Sequence, residues 1–113
     1  MLKVRGTEIS FNRGDDVSLT LTIYDVDGAP YELQEGDKLY FSAKAKIDDP
    51  NYAIPPKELE GNVIHIVPED TYDLAFGKYV YDVQFVTAGG RKSTIIEPST
   101  LEIKGSVTAF GDR

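Results

Sequence analysis

Apolar and polar residues alternate along three segments of this chain, with the two-residue period of a β-strand. In segment 16–24, the apolar face carries Val17, Leu19, Leu21 and Ile23. In segment 77–85, one face carries Tyr79, Tyr81, Val83 and Phe85. Segment 38–47 alternates in the same way, and its apolar face becomes small at Ala43 and Ala45. The pattern predicts three long strands, with room opposite the two alanines for a large neighbour such as Tyr81.

Glycine, proline and acidic residues mark the turns between these strands. Residues 12–15 (NRGD) and 25–30 (DVDGAP) predict turns, and the glycine pair 89–90 predicts a hairpin whose flanking strands pair directly. Residues 62–67 predict a short strand. Residues 68–77 predict a single helical turn, in which Asp70 or Thr71 accepts hydrogen bonds from exposed backbone donors.

Prolines divide the remaining chain. The three prolines of residues 48–56 predict a loop that crosses from one sheet to the other, since proline cannot donate to a strand ladder. Pro98 predicts that the last strand is kinked or changes sheets. A short strand is expected near residues 7–11, and residues 105–113 are expected to form an edge strand or a tail.

Strands of this number and spacing predict an all-β fold, an immunoglobulin-like β-sandwich of seven or eight antiparallel strands in two sheets. We expect residues 1–113 to form a single domain, because a chain of this length suits one core. Tyr79 stands near the start of an aromatic strand and is predicted to hydrogen-bond through its hydroxyl to the backbone of residues 68–74. The predicted core consists of Leu19, Leu21, Ile23, Leu39, Phe41, Ile64, Ile66, Tyr79, Tyr81, Val83 and Phe85.

Composition narrows the classes of partner. With 19 acidic and 12 basic residues, the formal charge is −7, which opposes binding to nucleic acid and to anionic membranes. The chain has no cysteine, so disulfides and thiolate metal sites are excluded. Neither a signal peptide nor an apolar run long enough to cross a bilayer is expected.

Few residues suggest catalysis or metal binding. His65 is the only histidine and is interpreted as a strand residue rather than a general base. Residues 25–28 resemble the start of a calcium loop, but Gly36 stands where that loop needs a glutamate, so a turn is the better interpretation. The other acidic clusters are likewise interpreted as turn residues. Residues 13–15 have the sequence of an integrin-type adhesion tripeptide, but a turn before a strand explains them without a receptor. No catalytic residue, metal ligand or cofactor is predicted.

The tyrosines are the residues that favour a ligand-binding surface, in particular one for sugar. Aromatic rings can pack on sugars, and the chain has seven tyrosines but no tryptophan. Tyr79 and Tyr81 are assigned to the core. The candidates for a sugar-binding surface are therefore Tyr24, Tyr31, Tyr40, Tyr52 and Tyr72.

Three motifs carry a family resemblance. Residues 11–16 (FNRGDD), 25–33 (DVDGAPYEL) and 77–83 (GKYVYDV) occur in an order and at a spacing that resemble the N-terminal domain of bacteriophage baseplate upper proteins and related small tail proteins. The resemblance implies a β-sandwich that serves as a non-enzymatic structural or assembly module. It further implies other tail or baseplate proteins as partners, in the virion or in the host cytoplasm before assembly. A bacterial ligand-binding module, for carbohydrate for example, is the alternative.

The C-terminal residues are the predicted interaction segment. Residues 105–110 are uncharged and β-prone, and unpaired strand edges are templates for another chain. The segment is predicted to dock on a tail protein or on a second copy of the chain, with a monomer and a disordered tail as the alternative. The residues chosen are Ser106, Val107, Thr108 and Phe110.

Overall fold

A computed structural model describes residues 3–4 and 8–105 of the chain. Nearly all regular structure in this part is β. The strands and the helical turn are β1 (Lys3–Val4), β2 (Ile9–Asn12), β3 (Val17–Thr20), β4 (Ile23–Tyr24), β5 (Lys38–Lys44), β6 (Ile54–Glu58), β7 (Val63–Ile66), α1 (Pro68–Thr71), β8 (Gly77–Val86) and β9 (Lys92–Lys104). The predicted all-β class is confirmed, and so are the hairpin between β8 and β9 and the helical turn at α1.

The strands form one large sheet and two small ones. The large sheet has the order β2-β9-β8-β5-β6, and the small pairs are β1-β4 and β3-β7. The strands β5, β8 and β9 thus share one sheet while β3 and β7 lie in another, which is the division of strands C, F, G and B, E in an immunoglobulin-like sandwich. Two details of the prediction are wrong. The described residues form nine strands rather than seven or eight, and the predicted strand at 16–24 is divided into β3 and β4, which lie in different sheets. In addition, β2 pairs with β9 in parallel, so the large sheet is mixed rather than antiparallel.

Side chains from the large sheet and from the small pairs meet in one core. Nine of the eleven predicted core residues are buried, while Leu19 and Tyr79 are partly buried and pack against the core. Tyr81 is 2% exposed and lies directly opposite Ala43, with its ring centre 5.6 Å from that of Phe41. Ala43 therefore makes room for Tyr81 as predicted, whereas Ala45 is exposed. Sequence reasoning missed the buried residues Ile9, Phe11, Ile54, Leu59, Ile95, Ile96, Leu101 and Ile103.

Of the two predictions about prolines, one is wrong and the other is confirmed in one of its two alternatives. Residues 48–56 do not cross between sheets, because Pro55 and Pro56 belong to β6, which pairs with β5 at the edge of the same sheet. An edge strand tolerates proline because one side of its backbone needs no partner. At Pro98 the last strand stays in the same sheet, and it has the irregularity that the first alternative, a kink at a bulge, anticipates. It continues to Lys104 with two register shifts against β8, and these shifts turn the adjacent residues Ile95 and Ile96 both inward.

Candidate functional site

The predicted interaction residues Ser106, Val107, Thr108 and Phe110 lie outside the residues that the structure describes. Docking through this segment stays a prediction.

His65 lies on the exposed face of β7, where sequence reasoning put it. Its Nε2 is 2.7 Å from Asp16 Oδ1, and the two side chains are 52% and 65% exposed. Ser18 is its cross-strand neighbour on β3, and no hydrogen bond joins the two side chains in the described part of the chain. An exposed pair of this kind contributes little to stability. No sequence pattern indicates the pairing of His65 with Asp16, which lies 49 residues away along the chain.

The acidic turn residues hold the backbone. Asp25 Oδ1 accepts hydrogen bonds from the backbone N–H groups of Asp27 and Ala29, which confirms the predicted turn. Asp15 and Asp49 accept backbone hydrogen bonds in the same manner within their own turns. Within residues 8–105, no three acidic or histidine side chains come together in a group that could hold a metal ion.

The turn between β2 and β3 is fastened to α1. The N–H of Gly14 donates to Thr71 Oγ1 at 2.9 Å, and Thr71 is fully buried. The Arg13 guanidinium lies 4.1 Å from the centre of the Phe76 ring and donates to the Leu74 carbonyl oxygen at 3.2 Å. The adhesion-like tripeptide is thus a structural turn, as interpreted from the sequence.

Near the start of β8, the Tyr79 side chain is bonded to the backbone of the preceding turn. The Tyr79 hydroxyl donates to the carbonyl oxygen of Ala75 at 2.8 Å. This acceptor lies one residue beyond the predicted range of 68–74. Asp70 also behaves as predicted, since its Oδ2 accepts from the N–H of Val67 at 2.9 Å. The same oxygen accepts from Lys57 Nζ at 2.7 Å, so α1 is tied to β6 as well.

Of the five candidate sugar-binding tyrosines, the structure brings two together. Tyr40 and Tyr52 line a groove on the outer face of the large sheet. Tyr31 lies elsewhere: its hydroxyl donates to Asp37 Oδ2 at 2.8 Å, and this bond raises the pKa of the phenol. Tyr72 packs 3.5 Å from the position that a Cβ on Gly14 would take. Tyr24 lies in β4, away from this groove.

The groove, here called the outer groove, has a volume of about 310 Å³, within the usual range for small-ligand sites. Its floor is formed by β5 and β8, whose outward residues lie in register as the pairs Tyr40–Gln84, Ser42–Asp82 and Lys44–Val80. Its walls include Ile47 and Tyr52 from the loop after β5, Pro56 from β6 and Pro98 from β9. The sequence identified Tyr40 and Tyr52 as candidates but not that they share one groove. Asp82 and Gln84 were not candidates, and only the β5–β8 pairing places them beside Tyr40.

Polar groups on the floor are partly bonded to one another. Gln84 Nε2 donates to Asp82 Oδ2 at 3.0 Å and to Thr94 Oγ1 at 2.9 Å. Asp82 Oδ1, Ser42 Oγ and the Tyr40 hydroxyl make no hydrogen bond to any residue of the described chain. The groove thus presents polar groups with unused hydrogen-bonding capacity, and one of them, Asp82, is held by Gln84.

Comparison of the chain with protein-family models finds no match, and comparison with curated proteins finds no significant similarity. The resemblance to phage baseplate proteins therefore stays a prediction that rests on the three sequence motifs. Among the described residues, no helix has the length and apolar character that crossing a membrane requires.

Proposed function

We propose that this protein is a non-enzymatic structural or assembly module of a phage or prophage tail or baseplate, and that it binds other virion subunits. Support comes from how the motif residues are used. Asp15 and Asp25 fold their own turns, and Tyr79 anchors the start of β8 through its hydroxyl. The residues that carry the family resemblance thus maintain a scaffold, which suits a protein that binds partners rather than one that transforms a substrate.

Binding to neighbouring tail proteins tests this proposal directly. The full chain is mixed with tail or baseplate proteins encoded beside its gene, and complexes are measured by light scattering after size-exclusion chromatography. We expect a complex with at least one of these proteins, and we expect Phe110→Ser to weaken it. Val26→Ser, which alters an exposed apolar residue on the turn after β4, is the matched control. A chain that stays monomeric and binds none of the proteins contradicts the assembly function.

A ligand-binding module is the second candidate function, and the outer groove favours it. Tyr40, Tyr52 and several polar side chains line this groove, which is open to solvent. The genes beside this one discriminate the two candidates: tail-fibre or tape-measure genes support assembly, and glycoside hydrolase genes support ligand binding.

A further inference from the structure

We propose that the outer groove is a binding site for a neutral oligosaccharide. This inference rests on the second candidate function, and it commits that function to one chemical class of ligand and to named contact residues.

The first step concerns the aromatic wall. Tyr52 is 47% exposed, and the Lys44 ammonium lies 4.8 Å from the centre of its ring. This cation–π contact occupies one face of the ring, so a ligand can stack only on the other face. An aromatic ring has a negative face, which attracts the weakly positive C–H groups on the flat side of a pyranose. Tyr40 supplies a second, half-buried phenol on the floor of the same groove.

The second step concerns the polar floor. Sugar hydroxyls both donate and accept, so a site for them needs donors and acceptors close together. Asp82 Oδ1 is an acceptor, while Ser42 Oγ and the Tyr40 hydroxyl can each donate or accept. Ser42 and Asp82 are directly opposite each other on β5 and β8. The bonds from Gln84 to Asp82 and Thr94 hold the floor in place before any ligand arrives, which lowers the entropy lost on binding.

The third step concerns charge. The whole chain carries −7, but the outer groove has one cation, Lys44, and one anion, Asp82. An acidic ligand would be attracted by the Lys44 ammonium but repelled by the Asp82 carboxylate, and a cationic ligand would meet the reverse, so neither gains net attraction from the groove. A neutral ligand with many hydroxyl groups meets neither repulsion, and its ring faces match the tyrosines. These features together favour a neutral oligosaccharide over a uronic-acid sugar.

Titration of the ¹⁵N-labelled full chain, followed by NMR, tests the proposal. Four probes are used separately: oligosaccharides of neutral hexoses, oligosaccharides of N-acetylhexosamines, a uronic-acid oligosaccharide and a proline-rich peptide. We expect at least one neutral oligosaccharide to cause saturable shifts at the amides of Tyr40, Ser42, Tyr52 and Asp82. The uronic-acid oligosaccharide is expected to bind more weakly.

Variants identify the contacts. Tyr52→Ala is expected to weaken binding by about tenfold, the factor that corresponds to ~1.4 kcal/mol. Ser42→Ala is expected to weaken it less, because it removes one hydroxyl. Phe76→Ala is the matched control, since it removes a similarly exposed aromatic ring outside the outer groove and should leave the affinity unchanged. The spectrum of each unbound variant shows whether it is folded.

Three results would overturn the proposal: no saturable shift with any neutral oligosaccharide, shifts located away from the outer groove, or binding of the proline-rich peptide there in place of sugar. The assembly function is measured separately, by the association of the same variants with tail proteins. Loss of sugar binding alone would therefore leave the assembly proposal standing, and the reverse also holds.

Discussion

At the residue scale, single hydroxyl groups connect parts of the chain that are otherwise held by apolar packing. Tyr79 shows this most clearly, because its ring packs against the core while its hydroxyl bonds to the turn that precedes β8. Tyr81, two residues later, points fully inward. The two tyrosines thus differ in what they contribute, and separate substitutions can measure each contribution.

Tyr79→Phe removes only the hydrogen bond to Ala75. We expect the free energy of unfolding to fall by roughly 0.5–1.5 kcal/mol, the usual net contribution of one such bond. Urea denaturation measures the change. Tyr52→Phe is the control, because the Tyr52 hydroxyl has no partner among the described residues, and it should leave stability unchanged. Equal stability of Tyr79→Phe and the unaltered protein would show that the hydrogen bond to Ala75 contributes nothing to the free energy of unfolding.

Tyr81→Ala removes the ring that fills the space beside Ala43 and Phe41. Deletion of a large buried aromatic side chain costs about 3–5 kcal/mol, so we expect a loss of this size in denaturant unfolding. Tyr52→Ala, on the surface, removes a half-exposed ring and its cation–π contact and should change stability by no more than about 1 kcal/mol. A loss below about 1 kcal/mol for Tyr81→Ala would contradict the inward register of β8.

Ionisation of Tyr81 should destabilise the protein in alkali. Burial raises the pKa of this phenol from 10.0 to about 12. Because the folded pKa lies above the unfolded value, the stability linked to the neutral phenol is complete below about pH 10 and is lost as the pH rises through about 12. Stability measured against pH should therefore decline across this range. Tyr81→Phe should show a smaller decline, and an equal decline would place its cause in other groups.

At the element scale, the position of each segment depends on contacts with segments distant in the sequence. The turn α1 is too short to be stable as an isolated helix. It is held instead by the bond from Gly14 to Thr71 and by the ion pair between Lys57 and Asp70. These two contacts attach α1 to the β2–β3 turn and to β6.

Thr71→Val keeps the shape of the side chain but leaves the Gly14 N–H without its acceptor. We expect a loss of about 1–3 kcal/mol in urea denaturation, since an unsatisfied buried donor is costly. Amide hydrogen exchange at Gly14 should also become faster. Thr71→Ser keeps the hydroxyl and should retain the protection of Gly14. Unchanged exchange in Thr71→Val would show that the turn does not depend on this bond.

At the scale of the whole molecule, the large sheet and the small strand pairs share their apolar side chains. Leu21 and Ile64 come from one side of the core, and Leu39 and Val83 come from the other. Neither side retains a buried face without the other, so the sheets should be lost together.

We therefore expect a single cooperative unfolding transition for the full chain. Tyrosine fluorescence and far-UV circular dichroism should give coincident denaturation curves, as two-state behaviour requires. Curves with separate midpoints would show that part of the sandwich unfolds independently.

Local sequence patterns determined much of this protein. The alternation of apolar residues was sufficient to place β5 and β8 and to orient Phe41, Tyr81 and Val83 inward, because side-chain direction in a strand depends on local geometry. Turn residues such as Asp25 were also predictable, since their side chains bond to nearby backbone. The hydrogen bond from the Tyr79 hydroxyl to the preceding backbone was predicted, but its acceptor, Ala75, lies one residue beyond the predicted range.

Only the tertiary structure decided how these segments pair. The parallel contact of β2 with β9, the place of Pro55 and Pro56 on an edge strand and the bulges near Pro98 depend on neighbours far along the chain. The same holds for the outer groove, because Ser42 and Asp82 meet through pairing across 40 residues of sequence and Tyr52 joins them from a loop. A periodic pattern shows which face of a strand is buried, but strand order depends on the total packing and hydrogen bonding of the fold, which no single segment contains.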